Sequence, residues 1–114
     1  MSNDNSSRAE KVDEKIIQNA KNTLMQKKHE LHNLSVLFSF LGNEERIQIV
    51  YLLLKHKKLS LCSLSAILNI KTRLLEKDLK KLKDAGILHS KRETSILCYF
   101  IKPSLLKQIK ILLL

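Results

Sequence analysis

Between Leu59 and Ile101 the chain changes its hydrophobic period twice, and the order of those changes leaves few folds open. Leu61, Leu64, Ile67 and Leu68 mark a short helix, which stops near Asn69, a residue that tolerates the left-handed conformation a turn requires. From Thr72 to Ala85 a second helix carries Leu75, Leu79 and Leu82 on one side, with Arg73, Lys77, Lys80, Lys81 and Lys83 around the rest. With Gly86 as the left-handed residue after the cap, Leu82 and Ile87 occupy the two positions whose side chains touch in a Schellman motif, so the helix ends there. Ile87 to Lys91 and Ile96 to Ile101 then have β-prone character, and Arg92 to Ser95 is a polar connection short enough for a hairpin. Helix, turn, basic helix and hairpin is the order of a helix-turn-helix followed by a β-wing.

The flanking segments supply what such a unit would pack against. Residues 1–11 are polar and read as a disordered tail. Val12 to Leu34 favours helix, with Ile16, Ile17, Ala20, Leu24, Leu31 and Leu34 along a loose apolar stripe, and a second helical stretch, Ser35 to Leu41, is apolar enough to suggest burial. Gly42 and Asn43 break the pattern, and Asn43 is placed to cap the next helix, whose first turn has Glu44 and Glu45 and whose end has His56, Lys57 and Lys58, as the helix dipole favours. Ile47, Val50, Tyr51 and Leu54 recur along that run at spacings of three, one and three, as a helix requires. Pro103 suits the first turn of a last helix, with Leu105, Leu106, Ile109, Leu112 and Leu113 set against Lys102, Lys107 and Lys110. The expected fold is mainly α with a small β-hairpin, one winged helix-turn-helix domain over 12–114.

Twenty-one Lys and Arg against eleven Asp and Glu give a net charge of +10, which favours a polyanion such as double-stranded DNA as partner. No apolar run approaches the ~18 residues that would span a bilayer, so no membrane role and a cytoplasmic location are expected. Two cysteines, Cys62 and Cys98, are too few for a disulfide scaffold and read as reduced thiols. With two glycines in all, no phosphate-binding loop and no recognisable catalytic arrangement, the chain reads as neither an enzyme nor a cofactor binder.

From Leu37 to Ile101 the sequence resembles the ArsR/SmtB type of bacterial winged-helix repressor. The resemblance is carried by LFSFLGNEERIQIVYLLL (Leu37 to Leu54), by LKKLKDAGIL (Leu79 to Leu88) at the exit of the reader helix, and by KRETSILCYFI (Lys91 to Ile101) as the wing. It implies a homodimeric repressor that sets helix 72–85 of each protomer into successive major grooves of a palindromic operator, with the wing, 87–101, on the flanking backbone. On this sequence Thr72 and Arg73 then fall where base edges are read, Lys71, Lys77 and Lys80 where phosphates lie, and Lys91 and Arg92 on the wing. The first and last helices, both amphipathic, would pair across the two-fold axis.

The chain departs from the family pattern in three places. Glu76 and Asp78 stand where a small hydroxyl residue and a His are usual; they either read specific bases or are paired with neighbouring lysines, as Glu76 with Lys80 at i, i+4 would allow. Thr94 and Ser95 replace the usual wing-tip Gly and Arg. Of the Cys-x-Cys metal motif before the reader only Cys62 is present, and the last helix has no metal-ligand residue, so no metal is expected and the inducer is left open. His29 and His32, three apart, read as solvated side chains. Cys62 and Cys98 would form a redox switch if they approach each other or a dimer mate, and buried, inert thiols otherwise. The rival to a DNA regulator is a protein-interaction module of the same fold that has lost specific operator binding.

Overall fold

The computed structural model describes residues 12–114, so the tail expected over 1–11 lies outside the described residues. The elements in order are α1 (Glu14–Leu41), α2 (Glu44–His56), β1 (Leu59–Ser60), α3 (Leu61–Leu68), α4 (Thr72–Asp84), β2 (Leu88–Glu93), β3 (Ile96–Ile101), a 3-10 turn (Pro103–Leu105) and α5 (Leu106–Leu113). The chain divides into a unit ending at Val36 and a unit spanning Leu37–Leu114.

In the first unit α1 is started by Asp13, whose Oδ1 accepts from the amides of Lys15 (2.9 Å) and Ile16 (3.3 Å). The two helical stretches expected before Gly42 form one helix. No Gly or Pro interrupts it, and Ser35 donates its hydroxyl to the His32 carbonyl at 2.7 Å, which accommodates Ser inside the helix. The burial expected for Ser35 to Leu41 is limited to Leu37 and Leu41; Val36 and Phe38 are exposed.

The second unit is built around one core. Ile49, Val50 and Leu53 of α2, Leu64 of α3, Leu75, Leu79 and Leu82 of α4, Leu88 of β2, Ile101 of β3 and Ile109 of α5 are all sealed from solvent. Each such side chain contributes about 1.5–3 kcal/mol of hydrophobic stabilisation. Asn43 caps α2 as expected, accepting from the Arg46 amide at 3.0 Å. Asn69 is left-handed at the end of α3 (φ 56, ψ 45), as its position predicts. Ser60, a cap that periodicity does not reveal, accepts from the Ser63 amide at 3.0 Å and starts α3.

The sheet has three strands in the order β1-β3-β2, both pairs antiparallel. The two-residue β1 is not legible as a strand from sequence; it pairs Leu59 with Tyr99 and Ser60 with Cys98. A γ-turn at Lys57 (φ 65, ψ −49), closed by the Lys58 amide donating to the His56 carbonyl at 2.7 Å, sends the chain from α2 directly into it. The hairpin is tighter than the four-residue connection expected over Arg92 to Ser95. Arg92 pairs with Leu97 and Glu93 with Ile96, leaving only Thr94 (φ 48) and Ser95 (φ 72) in the turn. Two successive positive φ values are what a two-residue turn needs to match the twist of its strands.

Candidate nucleic-acid interface

Helix α4 is anchored along one side by Leu75, Leu79 and Leu82, each fully buried. Its exit is a complete Schellman closure: the Ile87 amide donates to the Leu82 carbonyl at 2.9 Å, the Gly86 amide to that of Lys83 at 3.0 Å, and Gly86 takes φ +78. With the buried stripe and the end fixed, the remaining side chains have no freedom of face. Lys71, Thr72, Arg73, Lys77, Lys80 and Lys81 are exposed. Among the described residues Arg73, Lys77 and Lys81 make no ion pair, whereas Lys80 meets Asp84 at 3.1 Å, an exposed i, i+4 contact of small energetic weight. The suggested Glu76 to Lys80 pair is thus not the one formed.

The two carboxylates that depart from the family pattern point away from the cationic side in opposite directions. Asp78 turns toward α2, where its Oδ1 lies 3.4 Å from Arg46 Nε, both groups mostly covered. Arg46 also donates to the Phe40 carbonyl at 3.4 Å and lies 5.6 Å from the centre of the Phe40 ring. Glu45 completes this cluster: its hydrogen bond with Asp78, then burial and the Asp78 charge, hold its carboxyl above the ordinary value, against the pull of Arg46. Glu76 turns to the wing, sharing with Cys62, Arg92 and Ile96 a cleft of about 300 Å³. Burial first, and then the Glu76 charge, push the Tyr99 phenol up.

On the wing the register separates the two cations expected there. Arg92 lies opposite Leu97 and Lys91 opposite Cys98, so they occupy opposite faces of the hairpin, with Arg92 on the face toward Glu76. Both are exposed. Arg92 reaches the Ser95 carbonyl at 3.4 Å, curling over the turn. Two further interactions brace the wing. Lys83 of α4 donates to Ser90 Oγ at 2.6 Å, and Lys58 meets Glu93 at 2.7 Å, which raises the lysine and lowers the carboxyl from their ordinary values.

The thiols differ in access: Cys62 is exposed and Cys98 buried. Ser60 pairs in register with Cys98, and Cys62 follows two residues on, so both belong to one corner of the sheet. Among the described residues no three His, Cys, Asp or Glu side chains converge on a point that would hold a metal ion. No helix among them is long and apolar enough to cross a membrane.

Residues 43–90, from the α2 cap to the middle of β2, match the family described as bacterial regulatory protein, arsR family. Those residues carry the arsR-family pattern within a winged-helix fold. The chain is 29% identical over 70 residues to the cadmium resistance transcriptional regulatory protein CadC of Listeria innocua, a match covering 61% of this chain and 59% of CadC. The chain therefore spans about three fifths of the length of the curated relatives it matches. Among solved structures, reduced HlyU from Vibrio cholerae superposes with a TM-score of 0.69 at 27% identity, covering 79% of this chain and 94% of HlyU. The transcriptional repressor PagR of Bacillus anthracis gives 0.64 at 26%, covering 75% and 98%. HlyU and PagR are similar to this chain in fold, and the matched family, CadC and PagR are all described as regulators of transcription or regulatory proteins.

Proposed function

We propose that the protein is a homodimeric, sequence-specific DNA-binding transcriptional repressor. The observation that carries this reading is the presentation of α4: three buried leucines and a glycine-closed exit hold it rigidly, Arg73, Lys77 and Lys81 make no ion pair among the described residues on its exposed side, and both of its departing carboxylates are turned aside. Thr72 and Arg73 reach base edges, while Lys71, Lys77 and Lys80 meet phosphates; the Lys80 interaction with Asp84 is exposed and yields readily to a phosphate. Arg92, on the face shared with the reader helix, and Lys91 touch flanking backbone. The resemblance to PagR, itself a repressor, supports the direction of regulation.

Dimerisation is supported by α1. Ile17, Ala20, Leu24, Leu31 and Leu34 follow a spacing of three and four, the period of a helix seam, with Lys27 in the one remaining slot and engaged by Glu30 at 3.2 Å. Leu24 and Leu31 are exposed, as are Ile111, Leu112 and Leu114 of the C-terminal segment. A second copy covering these residues sets two α4 helices on one operator, whose half-sites lie about one helical turn apart. For signal sensing, Cys62 is the thiol an oxidant reaches, since Cys98 is covered.

Selection from a pool of random duplexes at two salt concentrations tests the proposal. A palindrome should be enriched, with affinity falling steeply as salt rises, and Lys77→Ala should lessen that slope by about one unit for each phosphate it no longer neutralises. Binding without an enriched sequence would leave a non-specific DNA binder. Absence of binding at low salt would assign the exposed apolar surfaces to a protein partner.

A further inference from the structure

Every leucine of α4 but one is sealed in the core. Leu74 stands 49% exposed, beside Leu75, Leu79 and Leu82 at 0%. It is the third residue of the helix, in the segment from which a reader helix touches base edges. Lys71, Lys77 and Lys81 lie three residues before it, three after and seven after, so they share its stripe of the helix surface. Asp78, four residues on, would put a carboxylate on the same stripe, but Arg46 draws it aside at 3.4 Å. Leu74 is thus an apolar group in a cationic frame, cleared of negative charge. Within the major groove the C5-methyl of thymine is the apolar feature of the base edges.

We propose that Leu74 reads a thymine methyl group, giving the helix an apolar sequence determinant flanked by phosphate-binding lysines. The inference rests on the DNA-reading role of α4 and adds to it a base and an atom. Lysines one turn before and after the leucine hold the two phosphate strands bordering the groove, and the branched side chain between them buries the methyl. Arg73 and Thr72 remain the hydrogen-bonding readers, so the determinant is additional to theirs. Arg46, through Asp78, acts as a positioning residue for this interaction and touches no base.

The test uses the full chain and its own selected duplex, with each thymine replaced in turn by uracil, which removes the methyl and leaves the base-pairing edge intact. The expected result is one thymine in each half-site whose methyl is worth roughly fourfold in affinity, the value of one buried methyl group. At that position Leu74→Ala should bind the thymine and uracil duplexes equally, while keeping the salt dependence of the unmodified protein. Uracil without effect at every position, or an equal effect in Leu74→Ala, overturns the inference and leaves the DNA-reading role standing. Failure to bind any duplex overturns both. A change in oligomeric state on Leu74→Ala, with the uracil effect abolished through dissociation, would assign Leu74 to a protein interface and overturn the methyl reading.

Discussion

Leu75, Leu79 and Leu82 of α4 are fully buried, whereas Ile16, Leu24 and Leu31 of α1, repeated almost as regularly, are 65%, 54% and 46% exposed. Both helices combine an apolar stripe with basic residues elsewhere on the surface. A periodic stripe demands a partner without saying which molecule supplies it. For α4 the partner is the chain's own core, closed around it by β2 and α2. For α1 the stripe is exposed, and the partner proposed for it is another copy of the chain.

The sharpest way to break this contrast is to truncate both stripes. Leu79→Ala should cost about 2–5 kcal/mol in chemical unfolding whatever the protein concentration. Leu24→Ala should cost an amount that grows with concentration, because the proposed dimer is what buries it. Equal, concentration-independent losses would make α1 part of the same core. Next in size, Leu24→Lys with Leu31→Lys should convert the dimer to monomer in sedimentation velocity at micromolar concentration while leaving the circular dichroism of the winged helix in place. Gly86→Ala is smaller and tests the closure that gives α4 its orientation. A Cβ there would meet nothing closer than Lys102 Nζ at 3.9 Å, so the cost, about 1–2 kcal/mol, comes from the left-handed backbone alone. Smallest is the effect of Glu45. Its raised pKa means the folded chain holds this proton longer than the unfolded chain, so the associated stability is whole below pH 4.5 and is lost as pH rises through the folded value. Glu45→Gln should flatten that part of a melting-temperature profile, and an unchanged slope would detach Glu45 from the Asp78 and Arg46 cluster.

What the sequence made legible follows the same division. Periodicity located α2, α3 and α4, and the chemistry of Asn43, Asn69 and Gly86 located their ends, because each of those features acts within a few residues. The strand at Leu59–Ser60 escaped because two residues show no period; their ladder partners, Tyr99 and Cys98, lie nearly forty positions away. The fates of Glu76 and Asp78 were hidden for a related reason. Helical spacing offers Lys80 as a neighbour, but Arg46 and the wing come close only once α4 has docked. Local chemistry could name the cationic side of α4; only tertiary packing could show that its carboxylates leave that side, and that Leu74 stays on it.

The hairpin turn has a consequence for how this protein can change. Thr94 and Ser95 both take positive φ, a conformation that costs an ordinary side chain on the order of 1 kcal/mol, and both are exposed. That penalty sits at a place where the core cannot feel its removal. An Asn-Gly pair or a longer loop would relieve it without shifting the pairing of Arg92 with Leu97. The wing tip is therefore where length and chemistry can drift as lineages diverge, exchanging one set of backbone interactions for another. The exit of α4, held by Leu82, Gly86 and Ile87, is less free, because a change there reaches the helix it closes.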